Sequence, residues 1–339
     1  MNYSTILFCL AIGIASYFGI WLYRSWSGRR QLLDIPNERS SHKTPVSRGA
    51  GVVVVLLTLF SYLVLGIVRP QLFFPGFPLA VGLIALVGWL DDVYSVSFGW
   101  RLLVQFSAAG IFIFDVGYFG SRESATTFAA IFLILLTGGW LVWMTNAFNF
   151  MDGIDGIAGL QAVVAAAGWA VFASINGIES VLLLSGVIGA ACVGFLIHNW
   201  QPARVFMGDV CSTFLGFAFA AMPLIASRET GLYDWSYLFA GIAFVWFFLF
   251  DTVFTLLRRL FKFRRVWRPH REHLYQKLLI SGLQHRTVSL IYGSLSSFAA
   301  AAILFNAPAR QIYAYLVAGF VVFLTFALLV FVAVRNRLT

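Results

Sequence analysis

Charge is scarce in this chain. Lys, Arg, Asp and Glu together make up 11% of the 339 residues, and only 14 residues are acidic. With 60% apolar residues and a mean hydropathy of +0.86, the composition excludes an ordinary soluble domain, in which about a quarter of residues are charged. Cysteine is scarcer still. Cys9, Cys192 and Cys211 lie in or beside apolar runs at no metal-ligand spacing, which leaves core packing as their reading. No polar stretch is long enough for a separate soluble domain, so residues 1–339 read as a single polytopic membrane domain. Residues 1–23 lack a basic leader region and a small-residue cleavage site, and read as a retained first span.

What fills the chain instead is a series of long apolar runs, each able to cross a hydrocarbon core of about 30 Å. Eleven are expected, at 3–23, 50–68, 72–90, 100–117, 126–145, 157–175, 180–198, 211–227, 236–257, 287–305 and 311–333. The fold class is therefore all-α integral membrane. The net charge of +9 is unevenly spread. Lys and Arg gather in 24–48 and 258–286, with Arg101, Arg204, Arg335 and Arg337 on the same side, while Arg69, Arg122, Arg228 and Arg310 fall opposite. By the positive-inside rule this predicts an N-out, C-in topology, and it assigns the basic excess to the membrane rather than to nucleic acid.

The few acids are concentrated. Asp91 and Asp92, then Asp152 and Asp155, then Asp209 sit at the ends of apolar runs, all on the predicted cytosolic face. A carboxylate at mid-bilayer costs roughly 2.5–3.5 kcal/mol even on the lenient insertion scale, so such groups call for a use. A divalent cation carrying phosphates is the simplest compensation. Adjacent helical residues diverge by about 100°, so Asp91 and Asp92 are expected to split, one to a metal or phosphate and one to a neighbouring cation. The alternative is a solvated pair, although a helix C-terminus disfavours anions. In Asn146–Gly156, the spacing of three from Asn146 through Asn149 and Asp152 to Asp155 would stack four oxygen-bearing groups on one helical face; Gly153 and Gly156 favour a broken helix with accessible amides.

Asp209 is predicted at a helix N-terminus, where a carboxylate or a bound anion is favoured and where capping alone is the plainer account. Phe206, three residues before it, faces lipid or stacks on a planar base. The loop 33–51, with His42, Lys43 and Arg48, offers cations to a phosphate or anchors to anionic headgroups. The last basic loop carries Arg271, His270 and His273; no third ligand stands at zinc spacing. Asp251, inside the ninth run and one helical face from Arg258, reads as half of a buried structural pair.

In order, DIPNERSSHKTPVSRGAG, GWLDD, NAFNFMDGIDGIAG, HNWQPARVFMGD and the basic loop with HREH closely resemble the polyprenyl-phosphate N-acetylhexosamine-1-phosphate transferases, across residues of about 30–280. The resemblance implies transfer of an N-acetyl-sugar 1-phosphate from a UDP-sugar to undecaprenyl phosphate with release of UMP. It also implies a bacterial inner-membrane location with a cytosolic active site. Mg²⁺ is the implied cofactor, with Mn²⁺ as a substitute, and membrane lipid and a homodimer are compatible partners. Asp209 and Asn149 resemble the metal ligands. Asp91, with Asp92 beside it, resembles the catalytic carboxylate near the lipid phosphate, either moving a proton, positioning the acceptor or forming a covalent intermediate.

Asp155, the Gly153 backbone and Phe206 resemble the uracil site. Asn199 and Asp152 resemble sugar-side or organising groups, and Asn146, Arg271 and His273 stand with the substrate-binding residues. His42, Lys43 and Arg48 match the first-loop substrate motif. One departure is informative: where several members carry His-x-His-His, this chain reads His273-Leu-Tyr275-Gln276, which argues against a muramyl-pentapeptide substrate and toward initiation of O-antigen or surface polysaccharide. An ion-coupled secondary transporter is the rival reading, since it too would bury carboxylates in broken helices, but near the midplane between repeats.

Overall fold

The computed structural model describes residues 3–30, 33–34, 45–120, 126–263, 270–304 and 311–336. The described chain is helical almost throughout. In order it forms α1 (Tyr3–Arg29), two short strands β1 (Leu33–Asp34) and β2 (Val46–Ser47), then α2 (Val52–Val68), α3 (Gly76–Tyr94), α4 (Phe98–Val116), α5 (Thr127–Met151), α6 (Ile157–Asn176) and α7 (Glu179–Asn199). There follow α8 (Asp209–Thr230), α9 (Trp235–Phe244), α10 (Trp246–Phe261), the short α11 (Leu274–Ile280), α12 (His285–Leu304) and α13 (Gln311–Arg335).

All but one of the expected apolar runs coincide with a single helix. Among the described residues, eight helices are long and apolar enough to span a bilayer, or nine if α9 and α10 count as one bent span; α2 and the apolar stretch Gly319–Arg335 are shorter. The run 236–257, expected as one span, is instead broken at Val245 with a bend of 81° between α9 and α10. No Pro or Gly marks the break. Tertiary contacts hold it: the Gln161 side chain in α6 donates to the freed carbonyl of Phe244 at 2.7 Å and accepts from the Ser296 hydroxyl in α12 at 2.6 Å. A carbonyl released inside a bilayer needs such a partner, because lipid offers none.

The centre of the bundle is α8, where every residue from Val210 to Ala226 is buried. An apolar helix with no polar face is stable only when surrounded on all sides, and α3 and α5 are among the helices that surround it. The approach of α3 is close. A Cβ at Gly88 would stand 2.6 Å from the Asp209 carbonyl oxygen, so glycine lets the end of α3 reach the start of α8. The β1–β2 pair is antiparallel, and Ser47 bridges in parallel to Val205, which brings the first loop to the segment leading into α8. Cys192 and Cys211 are buried free thiols and Cys9 is half-buried, as core packing predicts.

Candidate active site

Asp209 opens α8 but does not cap it. Gly208 holds the N-cap position at φ 78°, with no side-chain cap of its own. The cap comes from α3 instead: Asp92 accepts from the amides of Asp209 at 2.9 Å and Val210 at 3.1 Å. Gly208 is required there, since a Cβ would lie 2.4 Å from an Asp92 carboxylate oxygen. A carboxylate against free helix amides is favourable, and it leaves the Asp209 side chain available for other partners.

Those partners are two arginines and an amide. Arg48 Nε lies 2.9 Å from Asp92 Oδ1, and its Nη2 lies 3.2 Å from Asp209 Oδ1. Arg101 Nη1, in the first turn of α4, lies 2.7 Å from Asp91 Oδ2 and 3.4 Å from Asp209 Oδ2. Asn149 Nδ2 donates to Asp209 Oδ2 at 3.1 Å, while its Oδ1 accepts from the Ser212 hydroxyl at 2.9 Å. Asp91 and Asp92 therefore diverge as helical geometry predicts, but both meet an arginine, rather than one facing a metal or phosphate as expected. Three carboxylates share two guanidinium groups, and one negative charge is left over. Burial works against the charge on Arg48, but Asp92 and Asp209 outweigh it and raise its pKa. Tyr23 of α1 steadies this loop by donating to the Arg48 carbonyl at 2.8 Å.

The expected stack in Asn146–Asp155 is corrected by the position of the helix end. α5 runs to Met151, so Asn146 and Asn149 are helical, while Asp152–Gly156 form the turn into α6. Asn149 faces Asp209, whereas Asn146 Nδ2 donates to Gln105 of α4 at 2.6 Å. Asp155 is buried among protein groups: Oδ1 lies 3.2 Å from His285 Nδ1, and Oδ2 accepts from the Ala203 amide at 3.1 Å. Asn199 pins the same turn, accepting from the Gly156 amide at 3.0 Å and donating to the Val205 carbonyl at 2.9 Å. Phe206 pairs with the first loop through backbone bonds, Phe206 N to Ser47 O at 2.7 Å and Ala50 N to Phe206 O at 3.1 Å. Asp152 is half-buried; burial, then the negative charges of Asp209 and Asp92, push its carboxyl up to about 7 against the pull of Arg48.

The last loop departs further from expectation. Arg258 is not the partner of Asp251: it pairs with Glu272, with 3.3 Å between Nη2 and Oε2. Asp251 pairs with His273, whose Nδ1 lies 3.1 Å away, and His273 is buried, so its ring serves α11 before any substrate. His270 stacks on His273, and burial, then the neighbouring His273 and Arg259, push its pKa down to about 4. Arg271 is exposed. His42 and Lys43 lie outside the described residues. Sequence reasoning missed Arg101, Gln105, Ser212, His285 and Tyr275 as site residues. Arg101 had a signal in being a lone cation ten residues after Asp91; the others are plain polar or aromatic residues whose roles arise only from packing.

The oxygen donors of the cluster are carboxylates, which suit Mg²⁺ better than a softer metal. Asn149 presents Nδ2 to Asp209 and would have to turn its Oδ1 away from Ser212 to join them, and among the described residues no three His, Cys, Asp or Glu groups converge as a ready-made cage. Mg²⁺ characteristically takes one or two carboxylates and completes its shell with water and substrate phosphates. Arg101 Nε, buried without a hydrogen-bond partner among the described residues, is a donor still owed an acceptor.

A bundle of apolar helices with acids and arginines gathered at one end is the architecture of an integral membrane protein with a charged site at one face. Residues 74–227 match the sequence model for glycosyl transferase family 4. A probable undecaprenyl-phosphate N-acetylglucosaminyl 1-phosphate transferase of Bacillus subtilis is 29% identical over 272 residues, which cover 77% of this chain and 73% of that protein. A decaprenyl-phosphate N-acetylglucosaminephosphotransferase of Mycobacterium tuberculosis is 28% identical over 339 residues, covering 88% and 82%. A phospho-N-acetylmuramoyl-pentapeptide-transferase of Streptococcus pneumoniae is 28% identical over 251 residues, covering 69% and 74%. The chain is thus similar to enzymes named as polyprenyl-phosphate N-acetylglucosamine-1-phosphate transferases over most of its length, and to the family 4 model over a little under half of it.

Proposed function

We propose that this protein transfers an N-acetylhexosamine 1-phosphate from its UDP-sugar to undecaprenyl phosphate at the cytosolic face of a bacterial inner membrane. The products are undecaprenyl-pyrophosphoryl sugar and UMP, and the step initiates an O-antigen or related surface polysaccharide. The observation that carries the reading is the convergence of Asp91, Asp92 and Asp209 on Arg48 and Arg101 at the head of α8. The names of the relatives, which specify polyprenyl phosphates and N-acetylated sugar phosphates, support it.

Asp209 and Asn149 would hold Mg²⁺, which when bound neutralises the donor pyrophosphate and the charge developing on UMP. Arg48 and Arg101 bring guanidinium charge to the two phosphate groups that must meet, overcoming their repulsion. Asp91 sits beside Arg101 and orients the acceptor phosphate for attack on the β-phosphorus. That phosphate is largely ionised at pH 7, so a strong base is not required and positioning carries most of the rate. Asp92 keeps the amides at the head of α8 ordered. Asp155, with His285 and Asn199, fixes the turn whose Gly153 backbone meets the uracil, and Phe206 stacks on it. Asp152, Asn146, Arg271 and His273 line or organise the sugar side.

Purified protein incubated with Mg²⁺, undecaprenyl phosphate and a panel of UDP-N-acetyl-sugars should release UMP with one of them, and chelation should stop the release. UMP release from none of the panel would overturn the reading. Reporter fusions at residues 40 and 270 should both report the cytosol, and fusions at 122 and 230 the outside; a split between 40 and 270 would undo the topology.

A further inference from the structure

Behind the turn from α5 to α6 stands a second buried network. Asp251 of α10 is fully buried and accepts from Tyr292 Oη at 2.7 Å, from Thr255 Oγ1 at 3.1 Å and from the amides of Leu274 and Tyr275 at 2.9 and 3.1 Å. With the His273 contact, these bonds fix the start of α11, a seven-residue helix too short to persist alone. What α11 holds in place is Tyr275. Its ring is buried and stacks on His273 at 5.8 Å, and its hydroxyl donates to the Phe150 carbonyl at 3.2 Å. That carbonyl lies in the last turn of α5, where the helix supplies no partner.

Gly153 sits against the same hydroxyl. A Cβ built there would lie 2.1 Å from Tyr275 Oη and 3.0 Å from Cζ. Gly153 is not among the glycines with positive φ, so its lack of a side chain answers to this space rather than to backbone conformation. Oxygen and glycine are matched to each other.

We propose that Tyr275 is a positioning residue for the transfer: its hydroxyl, seated between Phe150 and Gly153, sets the height of the turn on which the nucleotide end of the donor rests. The inference rests on the donor assignment made above. A hydroxyl fixed by Asp251 through α11 thus tunes the donor site from behind without touching the substrate.

Three variants test it: Tyr275→Phe, Gly153→Ala and the double variant, each purified and assayed for UDP binding by calorimetry, for both KM values, for kcat and for thermal stability. Tyr275→Phe should weaken UDP binding and raise the donor KM about ten-fold, the scale of one hydrogen bond, with the acceptor KM unchanged. Gly153→Ala should lose about a hundred-fold in kcat/KM for the donor, the scale of an overpacked contact. The double variant should recover part of the Gly153→Ala loss, because removing the oxygen relieves the 2.1 Å contact while the ring carbon at 3.0 Å still crowds the methyl group. Unchanged UDP affinity in Tyr275→Phe, or a double variant no better than Gly153→Ala, would overturn the proposal. A folded wild-type protein that binds no UDP would instead remove the donor assignment, and the proposal with it.

Discussion

The two ends of the bundle spend their few acids differently. At the end holding Arg69, Asp115 accepts from the first amide of α3 at 2.7 Å, and Glu229 accepts from the amides of Glu179 and Ser180 at 2.8 and 3.0 Å. Glu179 pairs with Arg69, and Asp234 caps α9 through the Ser236 amide at 2.7 Å. Every one of these carboxylates is matched to a helix start or a single cation. At the other end, Asp92 caps α8 and Asp251 caps α11, while Asp91 and Asp209 are drawn together by Arg101. Structural need accounts for the acids at the first end. At the second, like charges are held closer than stability asks, which is what binding a cation and phosphates would require.

Asp209→Ala should break the contrast most severely. Turnover should fall by at least about a thousand-fold, the scale of losing an electrostatic stabiliser, with insertion into the membrane intact. Glu229→Ala, by comparison, should leave kcat unaltered; an equal loss in both would erase the distinction between the ends. Next in size is Arg101→Ala, expected to cut kcat by about a hundred-fold by leaving Asp91 and Asp209 uncompensated. Its stability effect should be small, because solvent screens a side chain 31% exposed.

A finer division within the acidic end comes from Asp91→Asn and Asp155→Asn. The first should lower the rate with UDP binding kept. The second should weaken UDP binding by about ten- to a hundred-fold, the worth of a charge-assisted bond, and His285→Ala should follow it. Calorimetric titration of UDP onto each variant reads the separation directly, and the reversed pattern would exchange the acceptor and donor sides. At the opposite end, Asp115→Ala should cost about 1 kcal/mol, as lost caps do, seen as a lower Tm at full activity.

The smallest effect is in pH. Asp152 has its folded-state pKa raised to about 7, so between the ordinary carboxylate value and that point the folded protein binds more protons than the unfolded one. Its contribution to stability is therefore present at acid pH and lost as pH rises through about 7. Tm measured without metal should decline over that interval, and Asp152→Asn should flatten the decline.

Apolar run length and the scarcity of acids made the helices and the gathering of acids at one end legible, because both follow from the cost of charge in lipid. The split of Asp91 from Asp92 was legible from helical geometry. Three features were not. The break at Val245 has no local breaker and depends on Gln161, eighty-four residues earlier in the chain. The partner of Asp251 could not be chosen between Arg258 and His273 by helical spacing, since the loop folds His273 back beneath α10. The Asn146–Asp155 stack failed because α5 stops at Met151, two residues before Gly153.

Asp209 is mounted at the head of α8, a helix buried along Val210–Ala226. Amides in such an element exchange with solvent only when the whole domain opens, so hydrogen exchange there should be the slowest in the molecule. The carboxylate consequently has a rigid anchor. Accommodation of different sugars must come from the surrounding turns, and a ligand seeking selectivity between relatives has more to gain from those turns than from the acid itself.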